Sequence, residues 1–151
     1  MTSELALDHA ARRLLADARR ATLATIRPDG SPRLVPICFV LDPSAAILYS
    51  PLDEKPKRTG DPHRLARVLD TVRDPRVAVL VDRWDEDWAG LAWLRCDGVA
   101  TWLEPGGEAE AERASTIDAL RRRYDQYADH DLESRPILRI AISRTTAWGD
   151  R

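Results

Sequence analysis

The chain has 151 residues, 25 acidic against 23 Lys and Arg side chains, and an apolar fraction of 44%. That is enough chain for one packed domain over residues 1–151, and the lack of basic excess argues against a general nucleic-acid binder. No run approaches the roughly 18 apolar residues of a membrane span, and "MTSELALDHAARRLL" lacks the unbroken apolar centre of a signal peptide, so a soluble, cytoplasmic protein is expected.

In chain order, Ser3 reads as an N-cap with Glu4 in the first turn. Leu7, Ala11, Leu14, Leu15 and Ala18 then follow helical spacing, giving an amphipathic helix over 4–19. "ATLATIR" (21–27) reads as a strand and "PDGSP" (28–32) as a turn. "RLVPICFVL" (33–41) is the return strand, and Pro36 within it predicts an edge, a bulge or a place where a ligand replaces ladder pairing. "AILYS" (46–50) is a third short strand. After a basic loop, Leu65, Val68, Leu69 and Val72 predict a short helix stopped by Asp74-Pro75.

"RVAVLVD" (76–82) reads as a strand buried on both faces. "LAWLRCDGVATWLE" (91–104) is a long strand in which Gly98 bends the chain or forms a bulge. A third helix follows, with acids at its start and Arg121, Arg122 and Arg123 toward its end, as the macrodipole favours. Ala114, Ile117, Leu120 and Tyr124 line one of its faces. "PILRIAISRTTAW" (136–148) is the last strand. Short strands joined by tight turns predict an antiparallel sheet or barrel with helices packed outside, a mainly β fold with α elements.

The chain holds two lysines against twenty-one arginines, and both lysines fall in "SPLDEKPKRTG" (50–60). Lys55, Lys57 and Arg58 converge there with the Ser50 and Thr59 hydroxyls, and Pro51 and Pro56 restrict the backbone. Ammonium donors on a stiffened loop suit a phosphate; a solvated basic loop is the plain alternative. The acidic stretch Asp82, Asp85, Glu86 and Asp87 matches no calcium loop and reads as a solvated turn or docked flap. Trp84, Trp88, Trp93, Trp102 and Trp148 are expected in core or interface packing, or as a wall for a flat ring. Cys38 and Cys96 form no metal or disulfide motif, and no phosphate-loop, zinc-protease or nucleophile-elbow motif is present.

The ordered set "ATLATIRPDGSPRLVPICFVLD", "LYSPLDEKPKR", "LARVLDTVRDPRVAVLVD" and "DWAGLAWLRCDGVATW", spanning roughly 5–148, resembles the pyridoxamine 5′-phosphate oxidase-like split β-barrel superfamily. Within it, the chain is most similar to the small proteins that use the deazaflavin coenzyme F420 in place of FMN. The resemblance implies an FMN-binding-type split barrel and a homodimer, with each cofactor in a groove between two barrels. It also implies cofactor phosphate at Ser50, Lys55, Lys57, Arg58 and Thr59. The ring would rest on Val35, Pro36, Ile37 and Tyr49, and Trp88 would reach across from the segment after the fourth strand. The implied activity is hydride transfer between F420 and an electron-poor small molecule. The rival readings are an FMN-dependent oxidase or flavin reductase, and a non-enzymatic F420 carrier. No residue is singled out as catalytic; Tyr49 and solvent are the alternatives for a proton donor.

Overall fold

A computed structural model of the chain describes residues 5–52 and 60–149. Lys55, Lys57, Arg58 and Thr59 therefore lie outside the described residues, as does Ser3. The described N-terminal helix is α1 (His9–Asp17), shorter than predicted. Its cap is Asp8, whose carboxylate accepts from Ala11 N at 2.7 Å. Leu7, just before that cap, is buried with Ala11, Leu14 and Leu15.

Strands β1 (Ala21–Ile26) and β2 (Pro32–Ile37) form the hairpin that "PDGSP" predicts. Gly30 sits at φ +86°, which the turn requires and other residues resist. The predicted return strand breaks after Ile37, and β3 (Val40–Leu41) pairs with β4 (Ile47–Pro51) instead. Tyr124 serves the break. Its hydroxyl accepts from Phe39 N at 3.2 Å and has its one proton within reach of Phe39 O (3.1 Å) and Arg19 O (3.0 Å), which gives the backbone of the fully buried Phe39 a polar partner at the break.

Helix α2 (Ala66–Arg73) ends before Asp74-Pro75 as expected, and β5 (Arg76–Arg83) follows. The long ribbon of β6 (Ala92–Leu103) and β7 (Ile137–Gly149) brackets helix α3 (Glu110–Arg123). The sheet order is β2-β1-β5-β6-β7-β4-β3, every pairing antiparallel. The result is a curled, half-barrel sheet of seven strands with three helices outside it. Pro36 lies on the edge strand, where its missing N–H costs no ladder bond.

Gly98 marks a register shift in the β6–β7 ladder. Asp97 pairs with Arg144 and Gly98 with Ile142, so the extra residue, Ser143, belongs to β7. Glycine is needed at 98 because a Cβ there would meet Ala141 O at 2.5 Å.

Two apolar clusters hold the fold. One fills the concave side of the sheet beneath α1, with Leu15, Leu23, Val79, Leu94 and Cys96 at its centre. The other joins β3, β4 and the start of β7 to α3 through Tyr49, Ile117, Leu120, Tyr124 and Ile137. Two expectations are corrected here. Ala114 is exposed, and Arg113 takes a buried place on α3 instead. Its guanidinium donates to the carbonyls of Leu132 (3.0 Å), Glu133 and Arg135 (2.9 Å), which clamps the segment leading into β7. Strand β5 is buried on one face only: Val77, Val79 and Val81 are inside, while Leu80 is 41% exposed.

Candidate functional site

The convex face of the sheet carries the exposed apolar side chains of Leu34, Leu80 and Trp148, and strand register shows how it is built. Directly paired residues share a face, so Pro36, Thr22, Leu80, Arg95 and Thr146 form one row across β2, β1, β5, β6 and β7. Leu34, Ala24, Ala78, Asp97 and Arg144 form the next row. Asp82, Trp93 and Trp148 form a third, at the far end.

A groove of about 470 Å³ runs along this face between Leu34, Ala24, Leu80 and Trp93. It continues past Thr22 and Asp82 into a smaller recess of about 260 Å³ at Arg20 and Pro36. Its charged edge is internally paired: Arg144 Nε meets Asp97 Oδ2 at 3.2 Å, and Arg95 Nε lies 4.0 Å from the same oxygen.

The residues expected to hold a cofactor ring do not form one surface. Pro36 is on the convex face; Val35 and Ile37 alternate to the concave side and pack with the first core cluster. Tyr49 is buried against α3 in the second cluster. Its hydroxyl donates to Glu112 Oε2 at 2.8 Å, and Arg139 Nε meets that same oxygen at 3.2 Å. Burial first, and then the Glu112 carboxylate, push the Tyr49 phenol above its ordinary range, so it is a poor proton source. Ser50 is buried, its hydroxyl donating to Cys38 O at 2.7 Å. Trp88 is 71% exposed on a short 3-10 turn, Trp88–Gly90.

The basic loop's anchors are described even though its lysines are not. It leaves the sheet at Leu52, which is buried, and returns at Gly60 and Asp61. On the return side, His63 bridges two carboxylates, with Nε2 2.9 Å from Glu104 and Nδ1 3.1 Å from Asp61. Those bonds, Glu104 first, raise the His63 pKa.

A buried polar cluster that residue spacing did not reveal sits where α2 meets β1 and β2. The Asp70 carboxylate accepts from Thr25 Oγ1 at 2.8 Å, Arg33 Nε at 2.7 Å and Arg73 at 3.3 Å. Burial alone would raise its pKa, but the bonds from Arg33, Thr25 and Arg73 outweigh it and hold the carboxyl below the usual range. Arg33 is thereby engaged by a carboxylate.

Cys96 is sealed in the first cluster, where burial and then Asp97 push its thiol up to about 12, leaving no nucleophile. Among the described residues no group of His, Cys, Asp and Glu could hold a metal ion, and no helix is long and apolar enough to cross a membrane.

The family model described as pyridoxamine 5′-phosphate oxidase matches residues 7–149. The chain belongs to the pyridoxamine 5′-phosphate oxidase family. Among solved structures, it is similar to a conserved hypothetical protein of Mycobacterium tuberculosis (22% identity, TM-score 0.73), covering 98% of this chain and 88% of that one. An FAD-binding protein of Mesorhizobium loti matches with 22% identity and TM-score 0.65, over 93% of this chain and 94% of that one. A structure described as an F420 reductase matches with 18% identity and TM-score 0.63, over 93% and 98%. At these identities the likeness establishes the split-barrel fold. No curated protein matches the chain.

Proposed function

We propose that the protein is an F420-dependent oxidoreductase that passes a hydride between the deazaflavin and an electron-poor small molecule. The observation that carries this reading is the family match over residues 7–149, in a fold it has in common with an F420 reductase. The cofactor would supply the hydride; the protein would supply binding, orientation and a dry site.

In this reading Lys55, Lys57, Arg58 and Thr59 hold the cofactor phosphate. Ser50 gives its only hydroxyl proton to the Cys38 carbonyl, so it has no side-chain donor left for that phosphate. The ring would lie on the open convex face, reached by Pro36 and, of the residues first considered, not by the buried Ile37 or Tyr49. A second copy of the chain would cover that face, because Leu34 and Leu80 are 67% and 41% exposed there and an apolar patch so placed is costly to leave in water.

The test is titration of purified protein with F420 and with FMN. F420 should bind at least about tenfold more tightly, roughly 1.4 kcal/mol. Replacing Lys55 or Lys57 by Ala should weaken F420 binding by about 1.5–3 kcal/mol, the range for hydrogen bonds to charged groups. Equal or tighter FMN binding would move the assignment to an FMN-dependent oxidase or flavin reductase. Tight F420 binding with no turnover of quinones, enones or conjugated heterocycles would leave a cofactor carrier.

A further inference from the structure

Three tryptophans and an acidic turn meet at the far end of the convex face. Trp93 and Trp148 are a direct cross-strand pair, and Asp82 faces Trp93 from the other side. With Trp84 and Arg83 they line a recess of about 400 Å³. Trp84 and Trp148 are 66% and 53% exposed. None of the three indoles stacks on another aromatic ring among the described residues; Trp84 and Trp148 keep ring surface in solvent, while Trp93 is half-buried with the Arg95 guanidinium over it.

The charge around the recess is lopsided. Residues 82–87, "DRWDED", hold four carboxylates and one guanidinium. The turn is built: Glu86 accepts from Trp84 Nε1 at 3.1 Å, which fixes that indole. Asp85 accepts from Asp87 N at 2.9 Å, and Asp87 accepts from Ala89 N at 3.0 Å. Gly90 packs so closely on Asp85 that a Cβ would meet its carboxylate at 2.4 Å. Arg83 is turned onto Gly90 O at 2.9 Å. The Arg95 guanidinium lies over the Trp93 ring, 6.0 Å from its centroid, so that ring already has a cation. The Asp82 carboxylate has no hydrogen-bond or ion-pair partner among the described residues, and it also borders the main groove.

Indole faces carry the negative lobe of an aromatic quadrupole and attract cations. Carboxylates beside them add a field of the same sense. We infer that this corner is a binding site for a flat organic cation, a quaternised heteroaromatic ring or an aryl-bearing iminium. The ring would stack against Trp84 or Trp148 with its positive nitrogen toward Asp82. Nothing in this inference depends on which cofactor the protein uses.

Equilibrium dialysis of cofactor-free protein against three probes of similar shape tests it: N-methylquinolinium, neutral 1-methylnaphthalene and anionic 1-naphthoate. The cation should bind tightest and the anion weakest, with the cation's affinity falling as salt rises. Asp82→Asn and Trp84→Leu, both at exposed positions, should each weaken the cation by about three- to tenfold while leaving the melting temperature unchanged. Trp148→Leu should act likewise. Equal binding of the neutral probe, tighter binding of the anion, parent-like affinity in Asp82→Asn, or no binding because a second copy seals the corner would each overturn the inference. A failed F420 or FMN titration would leave it standing.

Discussion

On the concave face of β1, β5 and β6, Leu23, Val79, Leu94 and Cys96 are all 0–1% exposed; on the convex face of the same sheet, Leu80, Trp148 and Leu34 are 41%, 53% and 67% exposed. Both faces carry apolar side chains at a two-residue period. What separates them is cover: α1 seals the concave side, whereas on the convex side α3 covers only the end at Tyr49, Leu103 and Ile137 and leaves Leu34, Leu80 and Trp148 open. Apolar area already buried within one chain stabilises that chain. The same residue types left open are available to a ligand or to another copy.

The sharpest way to break this contrast is to truncate one residue from each face. Leu94→Ala should cost about 2–5 kcal/mol in urea unfolding, the range for a fully buried leucine. Leu80→Ser should change monomer stability by only about 0.5 kcal/mol. Equal losses would mean that the faces do not differ in what they hold together.

Asp70 extends the comparison to polar groups under cover. Asp70→Asn should cost about 2 kcal/mol, below the range for a fully buried pair because Arg33 and Arg73 are partly exposed. Its folded pKa is depressed, so the carboxylate's contribution is fully present above the unfolded value of about 3.9 and is lost as pH falls through the folded value. The gap between parent and variant should therefore hold at neutral pH and close in acid. A gap that stays constant down to pH 2 would remove the ion pair as its cause.

Association is the next test. On the reading that a second copy covers the convex face, sedimentation should show a dimer in the parent and a monomer for Leu34→Ser combined with Leu80→Ser. A parent monomer at micromolar concentration would detach that face from assembly.

The smallest effect concerns the exposed rim. His63 should titrate above its ordinary value of about 6.5, and Glu104→Gln should lower that midpoint in an NMR titration. With a raised folded pKa, whatever stability the bridge contributes is present below the unfolded value and lost as pH rises through the folded one. An unshifted midpoint in the parent would show that His63 leaves the Glu104 carboxylate in solution.

Strand and helix positions were readable because period and punctuation agreed. "PDGSP" marked its hairpin, Asp74-Pro75 stopped α2, and Gly98 marked the irregularity, although the extra residue proved to be Ser143 on the partner strand. The two-sided burial expected for "RVAVLVD" failed for a physical reason: an apolar residue on an open face and one facing a core look alike in a sequence. Arg113 takes the buried place expected of Ala114 because three carbonyls from a distant segment can bury a guanidinium, which helical spacing does not report. Of the candidate site, the edge position of Pro36 was legible, while the lysines of the basic loop lie outside the described residues. Spacing did not reveal that Tyr49 and Ser50 spend their hydroxyls on Glu112 and Cys38, since both acceptors are brought close only by the fold.

Strand order also bears on how the chain assembles. β4 has two neighbours, the two-residue β3 and the final strand β7, with Ile47 opposite Ala141. Arg123, at the end of α3, donates to Leu15, Ala16 and Ala18 carbonyls at the end of α1. During synthesis the first helix and the β3–β4 hairpin leave the ribosome long before the residues that cap and pair them. The early half must wait, unpaired along one edge, until the last strand arrives and closes the sheet. Contacts of such long sequence separation slow folding and concentrate the risk of misassembly in that interval, so truncation within β7 should cost the nascent protein its fold rather than only its last strand.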